Sequence, residues 1–214
     1  MGRREVGIFR RQIPTVQGLS HDAYEQIADE YRSKRLDRSS VSMMISSLLD
    51  KMPASGVVLD VGSGLGQDSP ALGARGHGVV SVDRSMAMLR LAKSVSNFQV
   101  CADLRALSFR NVSGIWACAS LLHVERREVR PALVSFREAL TDDGALHLSV
   151  KAGIGAGLES EAFNYPLWFT YWNRDEIDQT LVDAGYRVLA NHSQSDDKWL
   201  SRLAVKRLNP GEKR

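Results

Sequence analysis

Cysteine is scarce in this chain, with two among 214 residues. Both, Cys101 and Cys118, fall inside apolar strand-like runs. That excludes a disulfide-built scaffold and predicts buried free thiols in a reducing compartment. Long hydrophobic runs are missing as well. No apolar segment is long enough to span a bilayer, and the N-terminus lacks the apolar core of a signal peptide, so a soluble cytoplasmic protein is expected. A large surplus of one charge is also missing: 28 Lys and Arg against 25 Asp and Glu leave +3. Much of that small excess sits in MGRREVGIFRR and VKRLNPGEKR, which read as solvated tails rather than polyanion contacts. Internal repeats, low-complexity segments and metal-ligand constellations are absent too.

What the chain does have is alternation. SHDAYEQIADEYRSKRL reads as a helix, because Tyr24, Ile27, Ala28 and Tyr31 recur at three- and four-residue steps. A second helix is expected around Val41 to Lys51, ending before Pro53. Strands follow at Val57–Val61, Val79–Val82, Phe98–Ala102, Ile115–Ala119 and Ala145–Val150. After the first strand, a glycine turn leads into a helix ending near Gly73–Gly76. Ser85 caps the helix MAMLRLAK, and Pro131 suits the first turn of a helix that stops at TDDG. In NRDEIDQTLVDAG, Asn173 is an N-cap with Glu176 three residues on, and Gly185 ends the helix. Tyr186–Ala190 and Leu200–Val205 form a closing strand pair across SQSDD. Five strand–helix units and a hairpin make a doubly wound α/β domain.

In such a domain, ligands sit beyond the carboxyl ends of the strands. GVVLDVGSGLGQDSPAL puts Asp60, Gly62 and Gly64 there, at the end of the first strand. Glycines let a ligand approach the backbone and leave amides to donate, favouring an anionic group at the helix start. Asp83 ends the second strand, where a carboxylate accepts from a ribose diol, and Asp103 ends the third, where it could accept from an exocyclic amine. A dinucleotide loop would carry its third glycine at Gln67, but this loop has it at Gly66. The preceding carboxylate of Asp60 is an odd neighbour for a pyrophosphate and suits an ammonium or sulfonium group.

VLDVGSGLGQDSPALGARGHGVVSVDRSMAMLRLA resembles the opening motifs of class I S-adenosylmethionine-dependent methyltransferases. The similarity continues through CADL, WACASLLHV and LTDDGALHLSVKAG to YWNRDEIDQTLVDAGYRV. The nearest resemblance is to small bacterial members with a Lys–acid–Gly motif after the fifth strand. It implies a Rossmann-like, mostly parallel seven-stranded sheet with a C-terminal antiparallel hairpin, in three layers. It divides the chain into a basic arm with cap helices, residues 1–52, and a cofactor-binding domain, residues 53–208. The implied cofactor is S-adenosylmethionine, with S-adenosylhomocysteine as product. Gly62 and Gly64 would lie under its methionine portion with Asp60 nearby. Asp83 would hold the ribose, Asp103 the adenine amine, the Leu104 amide a ring nitrogen, and backbone around Ala119 the amino group. Tyr24 and Tyr31 would close over it, and electron-rich rings suit a sulfonium.

Three departures stand out. Arg84 replaces the apolar residue that usually packs on adenine, and a guanidinium can stack there instead. The fourth strand lacks its usual leading aspartate, and Ala152 stands where near relatives carry an acid. His123, just past the fourth strand, is the best-placed general base, needed only for an acceptor protonated at working pH. His21, His77, His147 and His192 lack such context. Lys151 ends the fifth strand and either orients an anionic acceptor or is simply solvated. Among the rings from Phe163 to Trp172, Tyr165, Trp168 and Tyr171 are candidate acceptor-pocket residues on a lid, whereas Trp172 belongs to a plug beneath the last helix. The expected activity is methyl transfer to a small molecule at oxygen or nitrogen, driven by positioning, in a monomer or homodimer. An RNA or other macromolecular methyltransferase would be supported by the basic termini. Against it, no RNA-binding module is added and the Asn/Asp-Pro-Pro-aromatic motif is missing. A non-catalytic cofactor-binding module and a nicotinamide oxidoreductase are the remaining rivals.

Overall fold

Val58, Leu59 and Val61 of β1 (Val57–Val61) are fully buried, as expected of a strand flanked on both edges and covered on both faces. In the computed structural model, which describes residues 16–34, 41–92, 98–160, 163–191 and 198–208, β1 lies between β2 (Gly78–Asp83) and β4 (Val112–Cys118) and runs parallel to both. Beyond β2 lies β3 (Phe98–Cys101), and beyond β4 lies β5 (Leu140–Lys151). β9 (Trp199–Lys206) then pairs antiparallel with β5 and with β8 (Tyr186–Asn191). The seven-stranded order is β3-β2-β1-β4-β5-β9-β8. This is the mostly parallel Rossmann-like sheet with a C-terminal hairpin that the resemblance implies. The basic arm, the turn SQSDD, the side chain of His21 and His192 lie outside the described residues.

Alternation along the strands sorts the core into two layers. Leu59, Val61, Ile115 and Ala117 face one side with Leu133, Phe136 and Ile177 from α5 (Arg126–Ala139) and α6 (Arg174–Asp183). Val58 and Trp116 face the other side, where Met44, Ile45 and Leu48 of α2 (Val41–Lys51) cover them. Ile27 of α1 (Val16–Ser33) joins the first cluster, while Ala28 packs beside Met88 of α4 (Met86–Ala92). The shared face read from Tyr24 to Tyr31 is therefore the face α1 buries. No described helix is long and apolar enough to cross a membrane.

Several local expectations hold. Met88 N–H donates to Ser85 Oγ at 3.2 Å, so Ser85 caps α4. Asn173 and Glu176 form a reciprocal capping box on α6, and Gly185 follows that helix with φ of 86°. Others need correction. Between β3 and β4 there is one 3₁₀ turn, Leu104–Ala106, where a fifth strand–helix unit was expected. Asp103 caps that turn, and only ten residues separate the strands. The helix after the glycine loop, α3, is just Ser69–Leu72. Pro131 lies inside α5 rather than in its first turn. The apolar stripe of Val129, Ala132, Leu133 and Phe136 extends the helix upstream, and exposed Arg127 and Pro131 put the broken turn beside water. TDDG ends α5 but bulges within β5, between the Leu140 and Ala145 pairings. Cys101 is exposed and Cys118 only half-buried, because β3 is an edge strand and β4 ends at a cleft. The glycine-rich segment after β5 forms β6 (Ala156–Glu159), paired antiparallel with β7 (Leu167–Thr170) in a separate hairpin.

Candidate active site

Strand order reverses at β1, since β2 lies on one side of it and β4 on the other. A cleft opens there at the carboxyl ends of the strands, the expected ligand position in an open α/β sheet. Its floor is the β1–α3 loop with Asp60, Gly62 and Gly64. Asp83 and Arg84 come from the end of β2, and Asp103 and Leu104 from beyond β3. Ala119 and His123 follow β4, while Tyr24 and Tyr31 descend from α1. The fold thus gathers into one cleft every residue that the motifs nominate for the cofactor, together with His123.

Gly62 and Gly64 adopt left-handed backbone, φ 71° and 52°, where a β-carbon is strained. At Gly62 that carbon would also come within 2.3 Å of Ser120 Cβ, whereas at Gly64 it would meet nothing within 4 Å. The first glycine therefore lets two loops touch, and the second leaves room on the cleft floor. The amides do not behave as expected. Gly62 N–H and Ser63 N–H both donate to the Val82 carbonyl, at 2.7 and 3.1 Å, and Gly64 N–H donates to Asp83 Oδ2 at 2.8 Å. With these donors used and a four-residue α3 behind them, Gly62, Ser63 and Gly64 offer no open amide to an anion. That correction counts against a pyrophosphate ligand.

The three acids differ in their surroundings. Asp60 is buried and accepts from Ser69 Oγ at 2.9 Å; that hydroxyl also meets Ser81 Oγ. Asp83 accepts from Gly64 N–H on one oxygen and Ser85 N–H on the other. Burial raises its pKa above the ordinary carboxylate value despite those bonds. Asp103 is held by Arg105, which donates to both carboxylate oxygens at 2.9 and 2.6 Å and also binds Glu128. Burial opposes ionisation of Asp103, but the side-chain and backbone hydrogen bonds of Arg105 outweigh it and lower the pKa. Arg84 stands 3.7 Å from the same carboxylate.

His123 sits in a chain of hydrogen bonds rather than as an available base. Its Nδ1 is 2.7 Å from the Trp168 carbonyl, which can only accept, so Nδ1 carries the proton. Nε2 then accepts from the Tyr24 hydroxyl at 2.7 Å. Burial depresses the His123 pKa to about 4, with Lys151 adding repulsion against the partial support of the Trp168 carbonyl. The expected general base is thus neutral with both nitrogens engaged. Tyr24 is also held protonated, its pKa raised by burial and by the proximity of Tyr31 and Asp83.

The expected acceptor residues lie around the hairpin, not in the cleft lining. Lys151 Nζ bonds Glu159 of β6 at 2.8 Å, Trp168 contributes its carbonyl to His123, Tyr171 packs over Gly153, and Tyr165 is half-buried against the core. Trp172 is buried as the plug reading has it. The cleft residues that the sequence reading did not nominate include Asp68, which anchors Trp116 Nε1 at 2.8 Å, Arg105, and two serines. Ser63 Oγ and Ser120 Oγ are buried hydroxyls with no hydrogen-bond partner, both on the cleft wall. Asp68 lies in the quoted loop and Arg105 follows Asp103 by two, but no spacing rule marks either one.

A family model described as a methyltransferase domain matches residues 58–144, from β1 into β5. Over that stretch the chain is similar to a methyltransferase domain. No curated protein sequence matches the chain. Solved structures are similar to it in fold. The DhpI–SAH complex superposes with a TM-score of 0.74 at 16% identity, covering 91% of this chain and 98% of that one. The CcbJ methyltransferase of Streptomyces caelestis gives 0.68 at 17%, covering 86% and 98%. The 1,6-didemethyltoxoflavin-N1-methyltransferase of Burkholderia thailandensis, solved with 1,6-didemethyltoxoflavin and S-adenosylhomocysteine, gives 0.67 at 20%, covering 86% and 84%. With these structures the chain shares its fold.

Proposed function

We propose that this methyltransferase uses S-adenosylmethionine to alkylate a small-molecule acceptor at oxygen or nitrogen. The observation that carries this reading is the pairing of a strand-end acidic rim with a loop whose Gly62, Ser63 and Gly64 amides are already bonded. Such a cleft offers acceptors to hydroxyls, amines and a positive charge, and its two guanidiniums, Arg84 and Arg105, lie against Asp103. Two features of the cleft suit a nucleoside with an amino-acid tail. At Gly64 there is open room where a side chain would stand, and Ser63 and Ser120 present unpartnered hydroxyls. The neighbours from Burkholderia thailandensis, solved with S-adenosylhomocysteine and 1,6-didemethyltoxoflavin, and from Streptomyces caelestis make the same assignment reasonable here.

In this reading residues 53–208 hold the cofactor and residues 1–52 supply the cap. Asp83 binds the ribose hydroxyls. Asp103 and the Leu104 amide read the adenine edge, with Arg84 alongside the ring. Gly62, Gly64 and Asp60 border the methionine portion, and Ala119, turned by a φ of 53°, presents backbone to its amino group. The chemistry a bound cofactor supplies is an electrophilic methyl on a positively charged sulfur. Tyr24 and Tyr31 cover that end with electron-rich rings and exclude water. His123 keeps the Tyr24 hydroxyl oriented, so catalysis rests on positioning the acceptor rather than on a strong base. Tyr165, Trp168 and Tyr171 border the acceptor on the hairpin side.

Calorimetry with S-adenosylmethionine, S-adenosylhomocysteine and NAD tests the reading, followed by a metabolite screen for methyl incorporation. Binding of the first two and not the third is expected. NAD binding in their place overturns it.

A further inference from the structure

Lys151 ends β5 on the ligand rim, yet its ammonium does not face the cleft. Nζ donates to Glu159 Oε2 on β6 at 2.8 Å and lies 3.8 Å from the ring centroid of Phe169 on β7. It therefore holds both strands of the hairpin at once. Phe169 leads back to the cleft: its ring centroid is 5.0 Å from that of His123, with the planes tilted by 50°. One residue earlier on β7, the Trp168 carbonyl accepts from His123 Nδ1, and His123 Nε2 accepts from Tyr24. Thr170 Oγ1 adds a 2.8 Å bond to the Val124 carbonyl, beside His123.

We propose that Lys151 is a positioning residue, whose grip on Glu159 and Phe169 fixes the Trp168 carbonyl and so orients His123 and the Tyr24 hydroxyl over the cleft. This rests on the cofactor reading only for its effect on ligand affinity. The physical logic is steric and electrostatic. A salt bridge alone is worth little where side chains are a quarter to a third exposed, but an ammonium stacked on a ring and bonded to the opposite strand restrains the register of both. The groups facing His123 are Tyr24 from α1, Lys151 from β5, and Phe169 with the Trp168 carbonyl from β7. The charge of Lys151 also opposes a second proton on the imidazole, which keeps Nε2 an acceptor for Tyr24.

Nitrogen-15 NMR of the His123 ring in the ligand-free protein tests this without any assumption about activity. The parent should show a neutral Nδ1–H tautomer. In Lys151→Met, which keeps the stem and loses the charge, the titration midpoint should rise by about one pH unit or more. The tautomers should mix and amide exchange in β6–β7 should quicken, and Lys151→Arg should restore all three. Affinity for S-adenosylhomocysteine should fall roughly threefold to tenfold in the Met variant and recover in the Arg variant. If Lys151→Met does not fold, Glu159→Gln loosens the same grip and should quicken hairpin exchange. An unchanged His123 titration and hairpin exchange overturns the proposal. So does a variant that raises only the acceptor KM, because that is direct acceptor binding. If the parent fails to bind S-adenosylhomocysteine, the cofactor reading falls, while the His123 titration still decides the role of Lys151.

Discussion

The two sides of the cleft are held by bonds of very different sequence reach. On the acidic side, Gly64 to Asp83 spans 19 residues, Ser69 to Asp60 nine, and Ser85 to Asp83 two. On the hairpin side, Tyr24 to His123 spans 99 residues, His123 to Trp168 45, and Asn164 to Glu30 134. The acidic side is assembled once β1, β2 and their turns pair. The hairpin side exists only when α1 and the β6–β7 hairpin have both docked beside His123, so it is expected to open at lower free energy. Tyr31 stacks on Phe163 on the same side, with centroids 5.5 Å apart and planes 15° apart.

The sharpest way to break this contrast is at the acidic side. Gly62→Val forces a β-branched residue into left-handed backbone against Ser120. It should cost roughly 2–4 kcal/mol in denaturant unfolding and abolish ligand binding in calorimetry. Asp83→Ala should weaken S-adenosylmethionine affinity at least tenfold, about 1.4 kcal/mol; an unchanged affinity and ligand-induced melting shift would remove the ribose assignment. On the hairpin side, Tyr24→Phe leaves His123 Nε2 without its donor. It should cost about 1–2 kcal/mol in urea unfolding and speed amide exchange in α1 and β7, leaving β1 and β2 unaffected. A uniform change would show that the two sides are not separable.

The pH dependence sharpens the same comparison. His123 titrates near 4 folded, against 6.5 for an ordinary imidazole. Between those values the unfolded chain holds the extra proton, so stability should fall as pH drops from 6.5 toward 4 and should not change through this group above 6.5. Asp83, raised by burial, acts with the opposite sign just above the ordinary carboxylate range. The difference in unfolding free energy between the parent and His123→Gln across that window isolates the histidine; a flat difference would contradict its buried, neutral state. The smallest effect is expected at Lys34, whose ammonium sits 4.3 Å from the Phe163 centroid and 3.2 Å from Glu30 near the surface. Lys34→Ala should change stability by about 0.5 kcal/mol or less.

Legibility followed the same division. Asp60, Asp83 and Asp103 could be placed on one rim because strand ends are marked locally and parallel order brings ends together. Asn173 with Glu176 was readable for the same reason, since a capping box closes within three residues. The amides of Gly62, Ser63 and Gly64 were misread as open donors because their acceptors, Val82 and Asp83, lie on the neighbouring strand. His123 was readable as a cleft residue but not as a saturated one, since its partners come from α1 and β7. Lys151 was visible at a strand end, while the direction of its ammonium depends on a hairpin that glycines and rings had signalled only as a loop and lid.

By itself the sequence determined the alternation of strands and helices, the acidic ends of three strands and the glycine turn between them. These are short-range matters of periodicity, capping and backbone freedom, which each segment carries alone. Tertiary structure alone decided which polar groups are already spent: the bonded loop amides, the Arg105 grip on Asp103, the Tyr24–His123–Trp168 chain and the turn of Lys151 toward the hairpin. Hydrogen-bond satisfaction and desolvation depend on neighbours supplied by distant parts of the chain, and no local pattern of residues contains them.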